Sequence, residues 1–168
     1  MQKQNNSMEW LVVASMNGET CSICGKKTNE FRKGTCWFNT YGLFRFGHPE
    51  FEMVVQLSPI RMAKILNILG LLVSMGQKFE EGGEITIEGI DKEFHLKEFC
   101  LDGQKYLRLI VPDSNGLYPE DEGCEYPFSM QLKSIDELCG KGECECSRKA
   151  VGEALDTKRR VGYVVRRT

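Results

Sequence analysis

Residues 58–76 read Ser58-Pro59-Ile60-Arg61-Met62-Ala63-Lys64-Ile65-Leu66-Asn67-Ile68-Leu69-Gly70-Leu71-Leu72-Val73-Ser74-Met75-Gly76, and this stretch decides the fold class. Ser58 suits a helix N-cap, and Pro59 suits the first helical position, where its missing N–H costs nothing; Gly76 lies near the far end. Arg61, Lys64, Asn67, Ser74 and Lys78 recur at helical spacing along one stripe, and apolar side chains fill the rest. The pattern predicts a helix over about 58–78 that protein wraps on most of its circumference. The apolar run at 65–73 is far shorter than the roughly 20 residues that cross a bilayer, so no membrane span is expected.

On either side of the helix the chain reads as strands. Residues 8–15 contain Leu11, Val12 and Val13, residues 36–46 are rich in aromatics, and 51–57 alternates Met53, Val55 and Leu57 against Glu52 and Gln56. Beyond the helix, 84–90 alternates Ile85 and Ile87 with Thr86 and Glu88, 93–99 reads as a strand, and 106–111 puts Leu107, Leu109 and Val111 on one face. Asp102-Gly103 is a hairpin-type turn. The expected architecture is α+β, a single domain with a curved, mainly antiparallel sheet packed on one long helix. A compositional break after Gln131 divides it into a core, 1–131, and a cysteine-rich, basic extension, 132–168, packing on that core.

With 168 residues, 41% hydrophobic and 27% charged, the chain has the means for one packed core, which argues against disorder and against a multidomain enzyme. Charge is polarised. Residues 147–168 hold seven Lys/Arg against two acids, and the chain as a whole carries −2, so residues 1–146 carry −7. No secretory leader is recognisable in the polar opening residues, and the expectation is a cytoplasmic protein with reduced thiols.

A series of motifs stands in order between residues 39 and 131: Asn39-Thr40-Tyr41-Gly42-Leu43, Gly47-His48-Pro49-Glu50, Leu57-Ser58-Pro59, Ile65-Leu66-Asn67 and Gly76, then Val111-Pro112-Asp113, Asn115-Gly116, Tyr118-Pro119 and Gln131. Over roughly residues 10–131 this series resembles the bacterial family catalogued as domain of unknown function 4262. That family often has a tryptophan before the proline-aspartate pair and a proline after the closing glutamine, where this chain has Ile110-Val111 and Leu132. The resemblance implies a bacterial or phage-encoded fold unit and a set of candidate positions, and no reaction.

Eight cysteines carry the clearest chemistry. Cys21 and Cys24 form a C-x-x-C followed by Gly25, the pattern of a zinc knuckle, in which two thiolates grip one ion. Cys144 and Cys146 supply a second pair, with Cys139 as the alternative ligand, and a four-thiolate zinc site of this kind would be closed and structural. The competing readings of Cys21 and Cys24 are a chance pair in a cysteine-rich chain and a redox pair, the latter lacking the strand-to-helix context such motifs use.

His48 and His95 are the two imidazoles. His48 sits in a Gly-His-Pro-Glu turn, where Glu50 would orient it and Asp113 would add a second acid, the set a hydrolase would use; the competing reading is a structural turn. His95 reads as a solvent-facing strand residue. Asp113-Ser114-Asn115-Gly116 lacks the order of a calcium loop and reads as a turn with a left-handed residue. Asp121 and Glu122 form an acidic surface beside Tyr118 and Tyr126, and Arg159, Arg160, Arg166 and Arg167 mark a basic tail with interleaved apolar residues. The functional expectation is a zinc-stabilised binding or regulatory protein, inhibitor- or immunity-like, that contacts another protein through these charged surfaces rather than an enzyme. The alternatives are the His48 hydrolase and a nucleic-acid binder that uses the tail, whose affinity would be strongly salt-dependent.

Overall fold

The computed structural model describes residues 9–17, 20, 23–27, 29–141 and 162–163. In chain order the elements are β1 (Leu11–Ser15), β2 (Asn29–Phe31), β3 (Thr35–Tyr41), a 3-10 turn (Leu43–Phe46), β4 (Glu50–Val55), α1 (Pro59–Ser74), β5 (Glu84–Ile87), β6 (Ile90–Leu101), β7 (Gln104–Ile110), a 3-10 turn (Phe128–Met130), α2 (Ile135–Leu138), β8 (Cys139–Lys141) and β9 (Gly162–Tyr163). Six strands form a sheet in the order β5-β6-β7-β4-β3-β1, with the two-residue β9 on the outer edge of β1, and β2 pairs separately with β8. The fold is α+β, as expected.

The sheet is mixed rather than uniformly antiparallel, because β4 and β7 run parallel. The chain leaves β4, covers the sheet with α1, re-enters at the β5 edge and returns through β6 to β7. That route needs one parallel junction with a long crossover. The Asp102-Gly103 turn between β6 and β7 has φ of 49° and 78°, the paired left-handed geometry that matches strand twist.

Alternation sorts the two faces. Phe38, Phe51, Met53, Leu107 and Leu109 form one buried cluster with Met62, Ile65, Leu66 and Leu69 of α1. Removing each such side chain from water stabilises the fold by about 1.5–3 kcal/mol, so this interface is the main hydrophobic contribution.

Three sequence expectations need correction here. The helix stops at Ser74 rather than 78: Gly76 takes φ 97°, its N–H bonds Val73 O, and Gln77 N–H bonds Leu72 O, the Schellman closure. Asn67 does not belong to the solvent stripe; it is buried, accepting from Trp10 Nε1 at 3.1 Å and donating to Ala63 O. The aromatic stretch 36–46 is not one strand, because Gly42 with φ 120° ends β3 and a 3-10 turn follows.

The opposite face of the central strands is covered too. All six residues of β4 are buried, including Glu50 and Glu52, which alternation alone would leave in water. The chain beyond β7 covers Glu52, whereas Thr40 and the turn after β3 enclose the Glu50 carboxylate. Gln131 is fully buried and imitates a strand partner for Val111: its Oε1 accepts Val111 N–H at 2.8 Å, and its Nε2 donates to Val111 O at 2.7 Å. The start of the C-terminal extension packs on the core through α2, β8 and Leu138, which is buried.

Candidate functional site

Glu50 opens β4, and both oxygens of its carboxylate are engaged. It accepts Thr40 Oγ1–H at 2.7 Å and the backbone N–H groups of Gly42 and Leu43 at 2.9 and 3.0 Å. Two main-chain donors and a hydroxyl make it an anchor for the turn, not a base. His48, two residues earlier, is buried between Phe51 and Phe79, with ring centroids 5.0 and 5.9 Å away. Its Nε2 faces the N–H of Phe79 at 3.1 Å, and Nδ1 lies 2.7 Å from Pro49 O. A backbone N–H only donates and a carbonyl only accepts, so Nε2 carries the lone pair and Nδ1 the proton. Both nitrogens are occupied. A cleft of about 480 Å³ adjoins this corner, with His48, Phe79 and the acids Glu80, Glu81 and Glu98 among its walls.

Asp113 lies at the other end of the parallel pair. Glu50 is in register with Tyr106, and Asp113 follows Tyr106 by seven residues, so strand rise separates the two carboxylates by on the order of 20 Å. His48, Glu50 and Asp113 are therefore not brought together. Asp113 Oδ1 accepts the N–H groups of Asn115 and Leu117 at 2.8 and 2.9 Å, and Oδ2 accepts that of Glu125 at 2.9 Å. Those donors, with Glu125 foremost, hold its carboxyl below the usual aspartate range. Gly116, with φ 79°, is the left-handed residue of the turn.

The largest buried polar side chain was not singled out from sequence. Arg108 is fully buried, its Nε bonds Glu52 Oε1 at 2.8 Å, and its Nη1 donates to the carbonyls of Gln131 and Lys133 at 2.7 and 2.5 Å. Trp37 Nε1 donates to the second Glu52 oxygen at 2.7 Å, and the Phe99 ring lies 3.6 Å from the guanidinium carbon. Among the described residues Arg108 Nη2 has no hydrogen-bond partner. Desolvation lowers the Arg108 pKa, and the Glu52 charge opposes that shift. The pair ties the 131–133 segment to the sheet. Alternation in 51–57 points Glu52 outward, and only the covering segment, far away in sequence, makes that face an interior.

Cys21, Cys144 and Cys146 lie outside the described residues, but the ribbon beside them is described. Asn29 of β2 pairs with Lys141 of β8, and Phe31 pairs with Cys139. Cys24 precedes Asn29 by five residues, and Cys144 follows Lys141 by three, so the two cysteine segments leave the same end of one ribbon. Thr20 and Lys27 form a bridge that closes the Cys24 loop, where Gly25 has φ 71°. Cys139 sits two residues back, about 7 Å further from that end. Burial pushes its thiol pKa up. Burial also pushes Cys36 up to about 12 and raises Cys124, so neither presents a reactive thiolate.

The remaining candidates are on the surface. Asp121 accepts Tyr118 N–H at 2.8 Å and closes a turn, and Glu122 is exposed beside it. Arg159, Arg160, Arg166 and Arg167 lie outside the described residues; between them Gly162 and Tyr163 pair antiparallel with Val13 and Val12 at the sheet edge. Sequence reasoning missed the outward stripe of α1. Ile60 is 77% and Met75 71% exposed, Lys64 and Leu71 are exposed, and Ile68 is partly so. Exposed Tyr41 and Phe44 stand edge to face, 5.9 Å apart, on the turn packed against α1. No helix among the described residues is long and apolar enough to cross a membrane. Comparison of the chain with family models, curated proteins and solved structures yields no match.

Proposed function

We propose that this is a cytoplasmic binding or regulatory protein that acts by protein–protein contact, uses the outward face of α1 as its contact surface, and has cysteine ends clasped by a structural zinc ion. The observation that carries the reading is the composition of that face. Ile60, Lys64, Ile68, Leu71 and Met75 follow one another at spacings of four, four, three and four residues, about 22 Å from end to end. The helix bears Arg61 and Lys64 and no acid. A surface helix ordinarily turns a polar stripe to water, and an apolar stripe flanked by cations suits a partner with an apolar groove rimmed by carboxylates. Tyr41 and Phe44 add aromatic anchors of the type that dominate interface energetics.

The hydrogen bonding of His48, Glu50 and Asp113 supports the same reading, since both nitrogens of the imidazole and both oxygens of each carboxylate already have partners within the protein. The resemblance to the family named above belongs to this proposal as a fold unit only. The zinc clasp is supported by the shared ribbon end and by a C-x-x-C beside a C-x-C.

The test places a photo-crosslinking amino acid at Met75 in cells that make the protein natively, alone and combined with Leu71→Glu or Lys64→Glu. The reading predicts one dominant cross-linked protein with a carboxylate-rimmed apolar surface, and a loss of about tenfold or more with either charge change. Cross-linking that ignores both changes, or no cross-linked species, would overturn it.

A further inference from the structure

Away from the α1 face, three ligand-type side chains converge on the β5–β6 edge. Glu84 pairs across the strands with His95, and Thr86 pairs with Glu93, so Glu84, Glu93 and His95 share the sheet face opposite α1. One ligand atom from each lies within 4.8 Å of the other two, and His95 Nε2 is 3.4 Å from Glu93 Oε1. We propose that Glu84, Glu93 and His95 bind a divalent first-row transition ion, with its remaining coordination positions open to water.

Three observations carry this. The imidazole is held in place before any ion arrives: Tyr118 stacks on it at 3.8 Å with a 7° interplanar angle. Tyr118 is fixed at both ends, its hydroxyl donating to Glu93 O at 2.8 Å and its N–H to Asp121 Oδ2 at 2.8 Å. A ligand oriented by its neighbours gives up less entropy on binding, the role second-layer partners have in metal sites.

Neither carboxylate has a lysine or arginine partner among the described residues. Residues 80–93 carry six acids against Lys92 alone. Like charges on neighbouring strands destabilise a sheet, and a bound dication reverses the sign of that term.

Geometry and donor type then select the ion. Ligands of one ion, each at about 2.1 Å, stand about 3–4 Å apart. The present spacing therefore requires closure by about an ångström, within reach of the rotatable ends of two glutamates. Imidazole with two carboxylates suits manganese, iron, cobalt, nickel or zinc better than calcium or magnesium, which prefer oxygen alone.

The test titrates the full chain with Mn²⁺, a hard ion that thiolates bind poorly, and follows loss of the free-ion electron paramagnetic resonance signal. It uses the native chain, Glu84→Gln, Glu93→Gln, His95→Asn and, as a control for the cysteine ends, Cys24→Ser. The expected result is one Mn²⁺ per chain, weakened more than about tenfold by each of the first three changes and unaffected by the fourth. Substoichiometric Mn²⁺ should broaden the proton resonances of the His95 ring before those of His48. Glu84 is exposed, so Glu84→Gln retains the fold and keeps the test decisive even if another variant unfolds. Native protein that binds no Mn²⁺ up to millimolar concentration, or variants that bind as the native chain does, would overturn the proposal.

Discussion

Asp113 shows how a residue can look chemical in sequence and prove architectural. An acid after a strand, followed by Asn115 and Gly116, is a turn signal, and its two nearest bonds, to the N–H groups of Asn115 and Leu117, are the local kind that such a signal foretells. The third, from Glu125, comes from twelve residues on and depends on where the acidic loop returns. Because folding depresses this carboxyl's pKa, its contribution to stability is complete above the unfolded aspartate value of about 3.9. That contribution fades as pH falls from there through the folded value. Urea midpoints measured between pH 7 and pH 2.5 should therefore fall more steeply for the native chain than for Asp113→Asn, which already lacks the charge at neutral pH. The variant should be the less stable of the two at pH 7, with the gap closing in acid. Parallel curves would remove Asp113 from the acid response.

α1 was the element most readable from sequence, and its errors are instructive. Its start and its glycine stop are local signals, so Pro59 and Gly76 fall where the sequence puts them, with the end moved only from 78 to 74. Asn67 was misassigned because periodicity records which side of a helix a residue occupies and nothing about what crosses that side. Here Trp10 crosses it. A Cβ on Gly70 would stand 2.5 Å from Trp10 Nε1 and 2.6 Å from its Cε2, so the glycine is the notch in which the indole lies while Nε1 donates to Asn67. Gly70→Ala should accordingly destabilise the native chain, although alanine gains about 1 kcal/mol in helix propensity. In a Trp10→Ala background the same change should stabilise by up to that amount. Thermal melts of the four combinations would show the reversal of sign; an equal effect of Gly70→Ala in both backgrounds would mean that the indole does not set the requirement for glycine.

The molecule joins parts distant in sequence at two levels, and the sequence disclosed them unequally. The covering of the second sheet face by residues 112–138, with Arg108 and Glu52 at its centre, had no sequence signal except the Ser134/Glu137 capping box of α2, since burial of a charge pair is a property of the assembled layers. The proposed cysteine clasp, by contrast, has a sequence signal in its spacing, and the β2–β8 ribbon adds support by pairing Asn29 with Lys141, so that Cys24 and Cys144, about 120 residues apart, flank one ribbon end. If the proposed clasp forms, it closes a loop of that length, and by analogy with a disulfide the loop-closure entropy removed from the unfolded chain amounts to about 5 kcal/mol. For a chain of this size that corresponds to a shift in Tm on the order of 10 °C. Freshly purified protein should then carry one thiolate-bound zinc per chain, and stripping it with a chelator should lower Tm by about that much. Cys24→Ser should match the loss, and chelator should lower the Tm of that variant little further, because both act on one closure. The Glu84, Glu93 and His95 cluster spans neighbouring strands and closes no comparable loop, so metal there would leave this cycle unchanged. A Cys24→Ser protein that melts with the native chain would show that the two ends are held by the ribbon alone.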